Sequence, residues 1–96
     1  MRNPPNLAIA GVTGAVGTEF LRLLEQRGFP FGKMKLLASA RSAGKTVVFK
    51  GDTYTIEELT EDSFDDIDIA LFSAGGSISK KFGPIAASKG AVVVDN

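Results

Sequence analysis

Glycines at positions 11, 14 and 17, spaced G-x-x-G-x-x-G, follow directly on the apolar run Leu7-Ala8-Ile9-Ala10. That run is short, does not alternate with polar residues and is closed by glycine. This is the pattern of a strand buried on both faces of a parallel sheet. Val16, Phe20, Leu23, Leu24 and Arg27 then recur at helical spacing, with Glu19, Arg22, Glu25 and Gln26 on the other face. Gly28 stands where that helix should end, and Pro30 prevents it from resuming. Strand, glycine loop and amphipathic helix in this order form the first unit of an α/β domain.

The rest of the chain continues the pattern. Met34–Ser39 reads as a second strand and Ser39–Lys45 as a small, polar, basic loop. Thr46–Phe49 and Thr53–Ile56 are β-prone runs around Lys50-Gly51-Asp52, which suggests a hairpin inserted into the βαβ order. Ile67–Ser73 reads as another buried strand and Ala91–Val94 as a final strand. Between them Ile78–Lys89 is helical, with Ser77 as the expected N-cap and Gly83-Pro84 expected to bend or split the helix. Asn3-Pro4-Pro5-Asn6 cannot pair in a sheet and reads as a flexible lead-in. The expectation is one Rossmann-type α/β domain over residues 1–96, with a mostly parallel sheet and an inserted β-hairpin. The final strand runs to the last residue, so the chain is expected to be a truncated, amino-terminal part of a longer protein.

The glycine loop suggests a ligand. Gly11 permits a tight turn, a missing side chain at Gly14 lets backbone approach a pyrophosphate, and Gly17 lets helix pack close to strand. The helix N-terminus adds free N–H groups and a partial positive charge, and Thr13 a hydroxyl donor. Thr13, Gly14, Ala15 and Val16 are therefore the candidate pyrophosphate contacts. The competing explanation is a βα turn that needs glycine for its geometry alone.

An NAD site usually carries an acidic residue about 20 positions beyond the glycine loop, on the ribose 2′-hydroxyl. From Gly28 to Gly51 this chain has no Asp or Glu. It has Ser39-Ala40-Arg41-Ser42-Ala43-Gly44-Lys45 instead. Arg41 can grip a 2′-phosphate through paired N–H donors, Ser39 and Ser42 can donate hydroxyls, and Lys45 adds a point charge. This favours NADP over NAD, against the alternatives of a solvated basic turn and of a serine that caps its own turn. Ser73, Ala74 and Gly75 sit at a strand's carboxyl end, where open α/β sheets bind ligands, or else form a turn before the next helix. Asn96, at another strand end, is a candidate on the nicotinamide or substrate side.

Composition narrows the chemistry. Cysteine and histidine are both absent, which removes disulfides, Cys/His zinc sites and two common catalytic side chains. Net charge is zero, so no global field points to nucleic acid or an anionic membrane. Lys and Arg nevertheless outnumber Asp and Glu eight to two over residues 1–50, the half holding the glycine loop. The acidic residues from Glu57 to Asp68 fit no EF-hand spacing and read as a solvated face, and Lys80-Lys81 as a surface pair. No stretch is long enough for a membrane span, and the first six residues are too short and polar for a targeting peptide.

Four segments in order, GVTGAVG (Gly11–Gly17), LASARSAGK (Leu37–Lys45), DIALFSAGGSIS (Asp68–Ser79) and VVVDN (Val92–Asn96), resemble the amino-terminal domain of aspartate-semialdehyde dehydrogenases, plant and bacterial more than fungal. The resemblance runs from about Leu7 to Asn96. It implies NADPH-dependent reduction of β-aspartyl phosphate to aspartate semialdehyde with release of phosphate, on the route to lysine, threonine and methionine. It further implies a cysteine thiolate as acyl acceptor and a histidine as acid/base, neither of which this chain contains, and a homo-oligomer when full length. Thr13 to Val16 match the family's pyrophosphate loop, Arg41 and Ser42 its 2′-phosphate contacts, Ser73 to Gly75 the segment beside adenine and ribose, and Asn96 an asparagine near the active site. By itself the chain should be inactive. The compartment implied is the cytoplasm for a bacterial source and the plastid stroma for a plant one. Alternatives are the amino-terminal part of N-acetyl-glutamyl-phosphate reductase and a standalone nucleotide-binding module without catalysis.

Overall fold

The computed structural model describes residues 2–73 and 76–95. In chain order the described elements are β1 (Leu7–Ala10), α1 (Ala15–Gln26), β2 (Met34–Ala38), β3 (Thr46–Phe49), β4 (Asp52–Glu58), a 3-10 turn (Glu61–Phe64), β5 (Ile69–Phe72), α2 (Gly76–Ser88) and β6 (Val92–Asp95). They form a six-stranded sheet in the order β3-β4-β2-β1-β5-β6. Every pairing is parallel except β3 with β4. The expected α/β architecture and hairpin are both present. The hairpin turns on Lys50-Gly51, and Asp52 already pairs with Phe49 in the sheet. Lys50 and Gly51 both have positive φ, 52° and 84°, as a two-residue hairpin turn matching strand twist requires.

The strands β1 and β2 bury both faces, as their unalternating sequences require. Leu7, Ile9, Leu36 and Ile56 pack with Leu21 of α1 on one side. Ala8, Ala10, Leu37, Ala70 and Phe72 pack on the other with Phe64 of the 3-10 turn and Phe82 and Ala86 of α2. The Phe64 and Phe72 rings stack with centroids 5.7 Å apart. In α1 the inward stripe is Gly17, Phe20, Leu21 and Leu24 rather than the one read from Val16, which stays 38% exposed. Val16 stands in the first turn of the helix, at the rim of that stripe.

Two expectations for α2 are corrected. The helix begins at Gly76, so Ser77 lies inside its first turn rather than capping it. It also runs through Pro84 as one helix, so Gly83-Pro84 does not split it. The proline is exposed while Gly83 and Phe82 face the sheet, so the ring and the missing donor fall on the solvent side.

The amino-terminal lead-in is also tied down. Asn6 is buried, and its backbone N–H donates to Asp68 Oδ2 at 2.9 Å. Its side chain donates to the Asp66 carbonyl and accepts from the Lys33 N–H, both at 2.9 Å. Asp68, placed in the solvated acidic face by sequence, is buried and takes a further ion pair from Arg2 at 3.2 Å. The Asn6 N–H holds the Asp68 carboxyl below its ordinary value of 3.8, against the opposing effect of burial and with help from Arg2. A lowered folded-state pKa makes the contribution complete above the unfolded value and removes it as pH falls through the folded one. Urea melts should therefore show wild type more stable than Asp68→Asn at pH 7, with the gap closing as pH drops below about 4. A gap that stays constant down to pH 3 would mean that the carboxylate's charge is irrelevant.

Candidate functional site at the carboxyl edge of the sheet

The parallel strands β1, β2, β4, β5 and β6 all end on one edge, and there a groove of about 410 Å³ opens. Its lining draws on four of these strand ends: Gly11, Thr13 and Gly14 after β1, Ser39 and Ala40 after β2, Glu58 and Leu59 at β4, and Ser73 after β5. Ile78 and Phe82 of α2 close one side.

The loop after β1 is built from its own backbone. Gly11 has φ of 87°, open to glycine and strained for other residues. Its N–H and that of Val12 both donate to the Leu37 carbonyl, at 2.9 and 3.2 Å, which fastens the loop to β2. Gly14 N–H donates to the Gly11 carbonyl at 3.1 Å, and Gly14 is the N-cap of α1. A Cβ at Gly14 would meet only Gly11 O, at 3.6 Å, so the outward side of Gly14 is open. A Cβ at Gly17 would lie 2.5 Å from Gly11 O and 2.6 Å from Val12 Cα. Gly17 is thus where helix and loop backbone touch, as its spacing suggested. Thr13, Gly14, Ala15 and Val16 are exposed along the first turn of α1. That turn presents N–H groups with no helical acceptor and the positive end of the helix dipole.

The loop after β2 is a closed turn. Ser42 N–H and Ala43 N–H donate to the Ser39 carbonyl, at 2.9 and 3.2 Å. Gly44 N–H donates to Ile56 O at 2.8 Å and ties the far end to β4. Ser39 lines the groove, while Arg41 and Ser42 stand on the turn beside it. Arg41 is exposed, and among the described residues its side chain has no hydrogen bond or ion pair. Ser73 also reaches the groove, but its hydroxyl is used to hold the loop. It lies 3.1 Å from Ala10 O and 3.0 Å from Gly11 O, and Ser73 N–H donates to Ala10 O at 2.9 Å. The candidates Ala74, Gly75 and Asn96 lie outside the described residues.

The sequence reading did not single out Ala38, Ala40, Glu58, Leu59, Ile78 or Phe82, all of which line the groove. Glu58 was assigned to a solvated acidic run. Nothing local marks it, because only the pairing of Ala38 with Glu58 brings the end of β4 beside the end of β2.

Comparison with known proteins gives this edge its context. Residues 6–96 match the family model described as semialdehyde dehydrogenase, NAD binding domain. The chain is 55% identical to the aspartate-semialdehyde dehydrogenase of Aquifex aeolicus over 94% of its own length and 27% of the relative's. It is 48% identical to that of Prochlorococcus marinus, over 97% and 27%. It thus spans little more than a quarter of the relatives it matches. Among solved structures, aspartate semialdehyde dehydrogenase II of Vibrio cholerae, complexed with ASA, superimposes with a TM-score of 0.92. Identity there is 50%, over 96% of this chain and 30% of that one. The Candida albicans enzyme, solved with NADP, is 23% identical over 96% of this chain and 29% of that one; it shares the fold with a TM-score of 0.79. The groove therefore lies in a domain whose kind is known, and the chain belongs to the semialdehyde dehydrogenase family as its NAD-binding domain.

Proposed function

We propose that the chain binds NADP in the groove at the carboxyl edge of the sheet. On this reading it serves a protein that reduces β-aspartyl phosphate to aspartate semialdehyde and phosphate. The observation that carries the proposal is a groove built to receive an anion beside a turn with no carboxylate. The pyrophosphate takes the open side of Gly14 and the free N–H groups of Thr13, Ala15 and Val16. The adenosine ribose falls at Ser39, with its 2′-phosphate toward Arg41 and Ser42. Ser73 acts through the loop, holding Ala10 and Gly11 in place, and Gly17 sets the distance between loop and helix.

When bound, NADPH supplies a hydride for the acyl carbon. The residues of this chain bind and orient. With no cysteine and no histidine among them, the thiolate and acid/base of the reaction belong to other parts of the longer protein. Ala74 and Gly75 remain candidates beside adenine and ribose, and Asn96 remains the candidate on the nicotinamide or substrate side. Full-length protein on this reading is a homo-oligomer acting on a small acyl phosphate, in the cytoplasm as expected for relatives from bacteria such as Aquifex aeolicus. Among the described residues no helix is long and apolar enough to cross a membrane.

The location is tested by following backbone amide resonances of the 96-residue chain during titration with NADP+. Shifts are expected at residues 11–17, 39–42, 58–59 and 73. The opposite edge, at Asn6, Lys33 and Tyr54, should stay silent. Shifts concentrated at that opposite edge would overturn the assignment.

A further inference from the structure

Among the described residues that line the groove, Glu58 is the one charged residue. Its side chain is exposed, and among the described residues it has no hydrogen bond or ion pair. An ionised carboxylate accepts hydrogen bonds and donates none. A ligand that reaches this carboxylate in a groove that otherwise favours anions must turn a donor toward it.

The order of the strand ends says which donor. The edge runs from β1, with the glycine loop, to β2, with Ser39, and then to β4, with Glu58. Neighbouring strands lie about 4.8 Å apart. A dinucleotide laid along this edge has its pyrophosphate over the first strand end and its ribose over the second. Its base then falls over the third. Leu59 follows β4 there, and Ile78 and Phe82 of α2, which pack with it on the same face of the sheet, line the groove as its apolar side. Glu58 stands beside that wall, at the position paired with Ala38.

We infer that Glu58 selects the base of the bound dinucleotide, its carboxylate accepting a hydrogen bond from the 6-amino group of adenine while the ring rests on Leu59, Ile78 and Phe82. The inference rests on the proposed binding of an adenine dinucleotide in this groove. It adds a recognition element at the end opposite to the nicotinamide. Hypoxanthine has an acceptor carbonyl in place of the 6-amino group and its donor at N1 instead, so a carboxylate placed for the 6-amino N–H meets a lone pair there.

The test compares NADP+ with its deamino analogue, nicotinamide hypoxanthine dinucleotide phosphate, on wild type, Glu58→Gln and Leu59→Ala. Wild type should bind the adenine form about tenfold more tightly, the discrimination of one charge-assisted hydrogen bond at a partly solvated site. A glutamine amide can either accept from an amine or donate to a carbonyl, so Glu58→Gln should bind both forms within about twofold. Leu59→Ala should weaken both equally and leave the ratio unchanged, because an apolar wall does not distinguish them. Equal binding of the two forms by wild type, or an unchanged ratio in Glu58→Gln, overturns the inference. So does a gain in NADP+ affinity confined to Glu58→Gln, which would put the carboxylate against the 2′-phosphate. These outcomes are separate from the proposed preference for NADP+ over NAD+, which is read from the 2′-phosphate and not from the base. If neither NADP+ nor 2′,5′-ADP binds wild type, the reading of the groove fails and the inference falls with it.

Discussion

Gly17→Ala should cost about 3 kcal/mol of stability and lower the melting temperature by roughly 15–20 °C. The added Cβ would sit 2.5 Å from Gly11 O, 2.6 Å from Val12 Cα and 2.9 Å from Val12 C, all of them backbone. No side chain can rotate away, so relief requires α1 to move off the loop. That movement disturbs the N–H bonds from Gly11 and Val12 to Leu37 O and loosens Leu21 from the core. A loss of this size is a large share of the 5–15 kcal/mol typical of a folded domain. Gly14→Ala is the control. With φ of −80° and only an ordinary contact to Gly11 O at 3.6 Å, it should stay within about 1 kcal/mol of wild type. The new methyl faces the proposed pyrophosphate position, so binding is expected to weaken while the fold persists. Thermal melts read the first effect and ligand titration the second. Equal melting of wild type and Gly17→Ala would show that helix and loop are not in the close contact described.

Arg41→Ala should weaken NADP+ binding by about ten- to fiftyfold and leave NAD+ binding unchanged. Charge-assisted hydrogen bonds contribute about 1.5–3 kcal/mol each, with the lower end appropriate to an exposed side chain. Arg41 has no partner among the described residues, so its removal should not touch stability, and the affinity change is a clean reading. Lys45 leaves a residual positive charge on the same turn, which keeps the loss from being complete. Arg41→Lys should recover only part of it, since an ammonium cannot offer the planar fork of a guanidinium. An equal loss for NAD+ would mean that Arg41 contacts the pyrophosphate or acts only through the general field.

Features that depend on local spacing were readable from the sequence. The glycine triplet sets strand, loop and helix within one window, and the buried run Leu7–Ala10 and the hairpin around Lys50-Gly51-Asp52 carry their geometry with them, although Asp52 proves to belong to β4 and not to the turn. Features that depend on distant pairing were not. Asn6 and Asp68 are 62 residues apart and look like a linker and an acidic face until β1 and β5 pair. Glu58 enters the groove only because the hairpin places β4 beside β2. Leu21 rather than Val16 faces the core because the spacing of apolar residues fits more than one stripe, and only packing against the sheet selects among them. In α2, Pro84 does not break the helix because its ring points to solvent, a fact of packing rather than of propensity.

The proposed preference of this groove for a 2′-phosphorylated dinucleotide underlies the other expectations. Calorimetric titration of the chain with NADP+, NAD+ and 2′,5′-ADP tests it most directly. Binding of NADP+ and 2′,5′-ADP with NAD+ at least tenfold weaker is the expected result. NAD+ binding as tightly as NADP+, or a folded chain that binds none of the three, would contradict it.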